Sequence, residues 1–216
     1  MVFRTSSDGK PMNVYEHADP DSLGERSHPW TERAADSTHR YYDFRKHPEK
    51  IRTSLEDWKE WSVWPAVETF YRLLEWLNGS TSVFESNDCE FSGAARDARE
   101  EGARSFQCSG RVMIFFRDLA LNTSVEGIHR LTQAIAEELA CVDTGFAEGA
   151  FGATIVPVRY RTLPVPAAQQ HGQELMLSFW AWGDSERDAM TNLDRTLVNL
   201  TAALRAVADA AAEESA

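Results

Sequence analysis

One phrase occurs twice in this sequence, and it constrains the fold more than any other feature. Residues 110–122 read GRVMIFFRDLALN and residues 172–184 read GQELMLSFWAWGD, so each begins with glycine and continues as an apolar, methionine-containing string. Each phrase is followed by a helix-start signal, a hydroxyl residue with an acidic residue three positions later: Thr123 with Glu126, and Ser185 with Asp188. The repeat predicts the same strand-then-helix unit at two places.

A second strand candidate precedes each copy of the repeat. TSVFESNDCEF (81–91) comes before the first copy and ATIVPVRYRTL (153–163) before the second, so the order is ββαββα. Either the core is a tandem duplication, or two amphipathic helices resemble each other by chance. A duplicated ββα unit most simply predicts an α+β fold with a four-stranded, mainly antiparallel sheet and two helices on one face. Pro157 predicts that its strand lies at a sheet edge.

This element order is a circular permutation of the ferredoxin-like order βαββαβ, and the likeness is one of architecture alone. An N-terminal helical segment comes before the repeat and ends at Asn78-Gly79, a helix stop signal. Pro65 inside this segment predicts two helical pieces or a kink, because proline lacks the N–H that a mid-helix position donates. The segment is too rich in tryptophan and leucine for a solvated helix, so we expect it to be buried or covered.

Three parts of the chain differ in composition. Residues 1–52 combine closely spaced turn signals with a lack of apolar periodicity, which predicts a polar arm that is extended or disordered. Residues 53–212 predict a single α+β domain, and 213–216 a frayed tail.

Negative charge is concentrated in the predicted domain. The net charge is −12; residues 1–52 hold nine basic and nine acidic residues, and residues 53–216 hold thirteen basic and twenty-five acidic ones. Such a surface repels phosphate backbones and anionic membranes and attracts basic proteins. We therefore expect a basic protein partner, no nucleic acid and no membrane. The alternative is that the charge only maintains solubility.

The cysteines give no sign of a disulfide framework or a metal site. Cys89, Cys108 and Cys141 are odd in number and widely spaced. The N-terminus lacks an apolar signal core, and no apolar run approaches a membrane span. We expect a cytoplasmic protein with no metal and no cofactor.

Strand alternation predicts an apolar second sheet face. In ELMLSFWAW (174–182) one set of alternate residues suits packing under the helices, and the other set points away from them. Two explanations compete for this second face: either the first helix covers it, or it binds a partner. The second explanation predicts a partner-binding site with an apolar centre and a margin of two arginines, formed by Met176, Trp180, Trp182, Arg159 and Arg161.

Catalytic motifs are absent from the sequence: it has no Gly-rich phosphate loop, G-x-S-x-G, H-E-x-x-H or C-x-x-C. The one dense polar cluster is ESNDCE, with Glu85, Asp88, Cys89 and Glu90 as candidates. Neighbouring carboxylates raise the pKa of a cysteine and disfavour a nucleophile, so a polar turn is the alternative reading.

These observations predict a non-enzymatic protein-binding module, an acidic inhibitor or immunity-type protein that neutralises a basic partner such as a nuclease-like toxin. The first alternative is a small-ligand binder or enzyme that uses the Glu85–Glu90 cluster and the Arg159/Arg161 edge. A further alternative is a homo-oligomeric structural protein.

Overall fold

The computed structural model describes residues 12–16, 26–29, 42–53, 56–96 and 104–214. These residues contain strands, α-helices and a few short 3-10 helices. The strands are β1 (Met12–Glu16), β2 (Arg26–His28), β3 (Phe84–Arg96), β4 (Phe106–Phe116), β5 (Gly149–Tyr160) and β6 (His171–Gly183). The helices are α1 (Pro65–Asn78), α2 (Val125–Val142) and α3 (Glu186–Glu214).

The predicted arm and tail lie only partly within the described residues. β1, β2 and residues 42–52 belong to the segment predicted as an arm, whereas 1–11, 17–25 and 30–41 lie outside the described residues. At the other end, α3 continues to Glu214, and 215–216 lie outside.

The described strands form one mixed sheet. Its order is β1-β5-β6-β4-β3, and β2 also pairs with β5. β3 to β6 pair antiparallel, but β1 and β2 run parallel to β5. A fold that combines helices and strands is confirmed, but the four-stranded, mainly antiparallel sheet is wrong, and so is the ferredoxin-like description inferred from it. The two arm strands join the sheet through backbone hydrogen bonds, which nearly every residue can form. Such short strands therefore need no apolar alternation, and the sequence pattern does not reveal them.

Pro157 interrupts the pairing along β5. β1 pairs with β5 as far as Ile155, and pairing with β2 begins at Val158. Proline cannot donate a ladder hydrogen bond. The prediction that Pro157 places its strand at the sheet edge is wrong, because β5 lies between β6 and the two short strands β1 and β2. Pro157 itself lies in the gap between β1 and β2.

All three described α-helices lie on one face of the sheet, which we call the outer face. Phe70 of α1 packs edge-on against Phe179 of β6, with ring centroids 5.3 Å apart. α3 contacts both other helices and strands β3 to β6. The prediction of two helices on this face is thus corrected to three. Fully buried outer-face residues from the strands include Val112, Ile114, Ala153, Leu175, Leu177 and Ala181.

The opposite face, which we call the inner face, is the inside of a half-barrel. His28 Nε2 of β2 lies 3.8 Å from Glu85 Oε1 of β3. In a flat sheet these two strands would be about 19 Å apart, at about 4.8 Å per strand spacing. The sheet must therefore bend strongly toward this side.

Local signals account for most helix starts. A 3-10 helix at Glu56–Trp61 precedes α1, which begins at Pro65, so the prediction of two helical pieces is confirmed. Ser185 Oγ accepts from the Asp188 N–H at 3.1 Å, as the capping box predicts. At α2 the capping residue is Ser124 rather than Thr123, because the Thr123 hydroxyl donates to the Ala120 carbonyl.

Candidate functional site

β6 places the predicted partner-binding residues on the inner face. Met176, Trp180 and Trp182 are half-buried there, while the alternate residues lie buried under the helices. The explanation that the first helix covers this face is wrong, because α1 packs on the outer face against Phe179. Their role in binding a partner stays a prediction.

The most buried polar contact of the inner face joins Asn87 to Glu174. Asn87 Nδ2 donates to Glu174 Oε2 at 2.6 Å, and the two residues are 3% and 0% exposed. Asn87 lies where the β3–β4 register shifts, between Ser86 and Asp88. Such bulges redirect a side chain and are common beside functional sites. The bulge turns the Asn87 side chain toward the inner face. The curvature of the sheet then lets this side chain reach Glu174 of β6 across β4.

Glu85 connects β3 to two segments of the N-terminal region. Its Oε2 accepts from Arg45 Nη1 at 2.9 Å, and its Oε1 lies 3.8 Å from His28 Nε2. Glu85 is only 5% exposed, so the Arg45 guanidinium offsets part of the cost of burying its carboxylate.

Aromatic packing closes one end of the half-barrel. The rings of Phe115 and Tyr160 lie 5.8 Å apart, and the His28 ring lies 4.6 Å from Phe115. The Tyr160 hydroxyl donates to the Gln173 carbonyl at 2.7 Å. Burial raises the pKa of Tyr160, and the charge of Glu174 raises it further, so the phenol stays protonated.

The other members of the ESNDCE cluster do not join Glu85. Asp88 and Glu90 pair with Arg111, at 3.5 and 3.0 Å. Cys89 pairs in register with Val112 and packs toward the outer-face core. Burial raises the pKa of the Cys89 thiol, and Asp88 raises it further, which disfavours a thiolate nucleophile.

Arg159 and Arg161 are not near the tryptophans. Arg159 pairs with His171 at the start of β6, nine positions from Trp180. Nine positions correspond to about 30 Å along a strand. The structure instead places these arginines beside β2, where the Arg161 N–H donates to the His28 carbonyl, and His28 is the residue that approaches Glu85.

Sequence reasoning missed the residues that form the buried polar pair. Glu174 is a single carboxylate in the apolar string ELMLSFWAW, and that isolation is the signal that could have identified it. Asn87 gives no such signal, since the bulge that turns it inward depends on pairing with β4.

Three findings bear on the class of protein. No group of metal-ligating side chains that could hold an ion occurs in the described part of the chain. None of the α-helices within that part is long and apolar enough to cross a membrane. Comparison with models of known protein families, with curated proteins and with solved structures gives no match.

Proposed function

We propose that the protein is a non-enzymatic binding module for a basic protein partner, of the inhibitor or immunity type. The observation that carries this proposal is the position of acidic residues at helix ends. α2 and α3 have no basic residue in their last turns. Glu137 and Glu138 lie near the C-terminus of α2, and Asp209 and Glu213 near that of α3. Acidic groups there oppose the helix dipole, each by roughly 0.3–1 kcal/mol.

Because acidic residues at these helix ends lower the stability of the fold, we infer that they serve binding to another molecule. A basic partner would offset the repulsion within the chain and would be drawn to it over long distances. A nuclease-like toxin is a partner of this kind, because binding nucleic acid requires a basic surface. The homo-oligomeric alternative is less favoured, since two copies that each carry a charge of −12 repel each other.

The proposed contact surface is the Trp182 end of the inner face, with Met176, Trp180 and Trp182 as anchors. Glu148 is adjacent, because its carbonyl accepts from the Trp182 N–H at 3.0 Å. Arg104 pairs with both Glu148 and Asp184, at 2.6 Å each, so two carboxylates share one guanidinium. An apolar anchor beside net negative charge suits a basic partner. Arg159 and Arg161 lie at the far end and are left out of this surface.

The test is to isolate a binding partner on the immobilised protein and then to measure association rates. We expect a basic protein whose association rate falls at least about tenfold between 50 and 500 mM salt. Trp182→Ala should weaken binding by about 30-fold or more and leave the unfolding midpoint close to wild type. Val198→Ala, on the exposed side of α3, is the matched control and should bind normally.

Three outcomes would contradict the proposal. The first is a partner that is acidic, and the second is an association rate that salt does not change. The third is reversible self-association without any heterologous complex, which would favour the homo-oligomeric alternative.

A further inference from the structure

One guanidinium joins the ends of three strands beside Trp182. Arg104 lies two residues before β4, Glu148 directly before β5, and Asp184 directly after β6. The Arg104 guanidinium donates two hydrogen bonds to the Glu148 carboxylate, at 2.6 and 3.2 Å, and one to Asp184 Oδ2, at 2.6 Å. A forked pair of this kind fixes direction as well as distance. Arg104 therefore holds the neighbouring ends of these strands to one another.

Trp182 lies between the groups that Arg104 joins. Its N–H donates to the Glu148 carbonyl at 3.0 Å, and Asp184 follows it by two residues along the chain. One carboxylate bound by Arg104 thus belongs to the hydrogen-bond partner of Trp182, and the other to the end of the strand that carries Trp182. A shift of either strand end would displace the Trp182 backbone.

The side chains around Arg104 border a cavity, so packing alone does not fix them. The cavity has a volume of about 220 Å³, and its walls include Arg104, Glu148, Asp184 and residues in the first turns of α3. Exposed ion pairs usually contribute little to stability, but a bidentate arginine that also binds a second carboxylate is among the exceptions. The arrangement of these strand ends therefore relies on the three hydrogen bonds from Arg104.

We infer that Arg104 is a positioning residue for the proposed contact surface, because it fixes the strand ends around Trp182 and holds this anchor in its binding conformation before the partner arrives. The inference rests on the proposed function, since it assigns Arg104 a role in that same surface. An anchor that is already ordered loses less conformational entropy on binding, so the complex dissociates more slowly. The positive charge of Arg104 has a separate effect, because it slows the association of a basic partner.

The first measurement uses the free, full-length chain and needs no partner. Relaxation of the Trp182 indole N–H in NMR reports how well this side chain is ordered, and Trp182→Phe identifies its signal among those of the seven tryptophans. Arg104→Lys keeps the charge but cannot form the forked pair. We expect the order parameter of the Trp182 indole to fall below about 0.6, the range of flexible groups, in this variant. The unfolding midpoint should stay close to wild type, because the ion pairs are exposed.

Arg52→Lys is the matched control for this measurement. Arg52 also joins two carboxylates, those of Glu68 and Glu75, but both belong to α1 on the outer face. The substitution therefore removes the same kind of contact away from Trp182, and the Trp182 indole should stay as ordered as in wild type.

The second measurement is the binding kinetics of the basic partner isolated on the immobilised protein. Arg104→Lys should leave the association rate close to wild type and increase the dissociation rate at least about fivefold. Arg104→Gln also removes the charge, so its association at 50 mM salt should in addition be at least about twofold faster than wild type. A purely structural role of Arg104 would not separate association from dissociation in this way.

An equally ordered Trp182 indole in folded Arg104→Lys would overturn the inference, and so would loss of order without faster dissociation. If Arg104→Lys does not fold, the wild-type chain in 1 M salt provides the same comparison, since salt screens exposed ion pairs, and an indole that stays ordered there would also overturn it. Loss of order in a chain that binds no basic protein would contradict the proposed function but confirm that Arg104 positions Trp182.

Discussion

The Asn87 side chain donates a 2.6 Å hydrogen bond to the Glu174 carboxylate and so joins β3 to β6 across the strand that separates them. Both residues are buried, so the bond stabilises a charge that would otherwise be costly inside the protein. These side chains can meet across β4 because the sheet curves into a half-barrel.

Asn87→Asp tests how strongly this pair is coupled. The substitution places a second carboxylate against Glu174, and we expect it to lower the free energy of unfolding by about 3–5 kcal/mol at pH 7. At pH 5 part of the loss should be recovered, because like charges raise the pKa of one carboxyl until it takes up a proton. Denaturant unfolding at the two pH values measures this. Asn87→Ala introduces no charge, so a similar recovery in that variant would contradict the explanation.

Gly110→Ala tests the packing of the outer face. A Cβ atom at Gly110 would lie 2.5 Å from Phe179 Cζ and 2.6 Å from the Glu90 carbonyl oxygen. Backbone on one side and a buried ring on the other leave little room, so we expect a loss of about 1–3 kcal/mol in unfolding free energy. Gly145→Ala is the matched control, since nothing lies within 4 Å of its Cβ position. Equal stability of the two variants would show that both the Phe179 ring and the backbone at Glu90 shift at little cost in free energy.

The ion pair between Arg52 and Glu68 predicts that the free energy of unfolding depends on pH. Hydrogen bonding from Arg52, at 2.7 Å, lowers the pKa of Glu68 to about 2. A lowered pKa in the folded state means that the pair stabilises the fold above the unfolded pKa of glutamate, about 4.3, and that this contribution disappears as the pH falls toward 2. Because the pair is exposed, solvent screening keeps the contribution below about 1 kcal/mol.

Glu68→Gln should therefore differ from wild type at pH 6 and match it at pH 2 in denaturant unfolding. Added salt at 1 M should reduce the difference at pH 6. A difference that is the same at both pH values would mean that the ion pair is not its cause.

The cysteines should differ sharply in their reactivity. Cys141 is exposed, whereas burial raises the pKa of Cys108 to about 12 and also raises that of Cys89. Alkylation of the native protein at pH 8 should modify one thiol per chain, at Cys141, as mass spectrometry can determine. Cys141→Ser should react slowly until denaturant is added. Cys89 is only half-buried, so its low reactivity rests on the raised pKa of its thiol; rapid labelling of Cys89 would contradict that and reopen the question of a nucleophile.

The sequence alone determined the features that depend on neighbouring residues. Alternation along ELMLSFWAW placed Leu175 and Trp180 on opposite faces of β6, and the hydroxyl of Ser185 marked the start of α3. Pro65 separated two helical pieces because its ring and missing N–H act locally. These signals work without knowledge of the remaining fold.

Only the tertiary structure decided which strands meet and how the sheet bends. The pairing of β1 and β2 with β5 uses backbone groups that every residue carries, so the sequence pattern does not reveal it. The β3 bulge turns Asn87 inward only because β4 fixes the register on either side of it. Curvature then brings Glu174 to Asn87 and His28 to Glu85, and strand length keeps Arg159 far from Trp180. Each of these relationships joins residues far apart in the chain, and long-range pairing and curvature, rather than local propensity, bring them together.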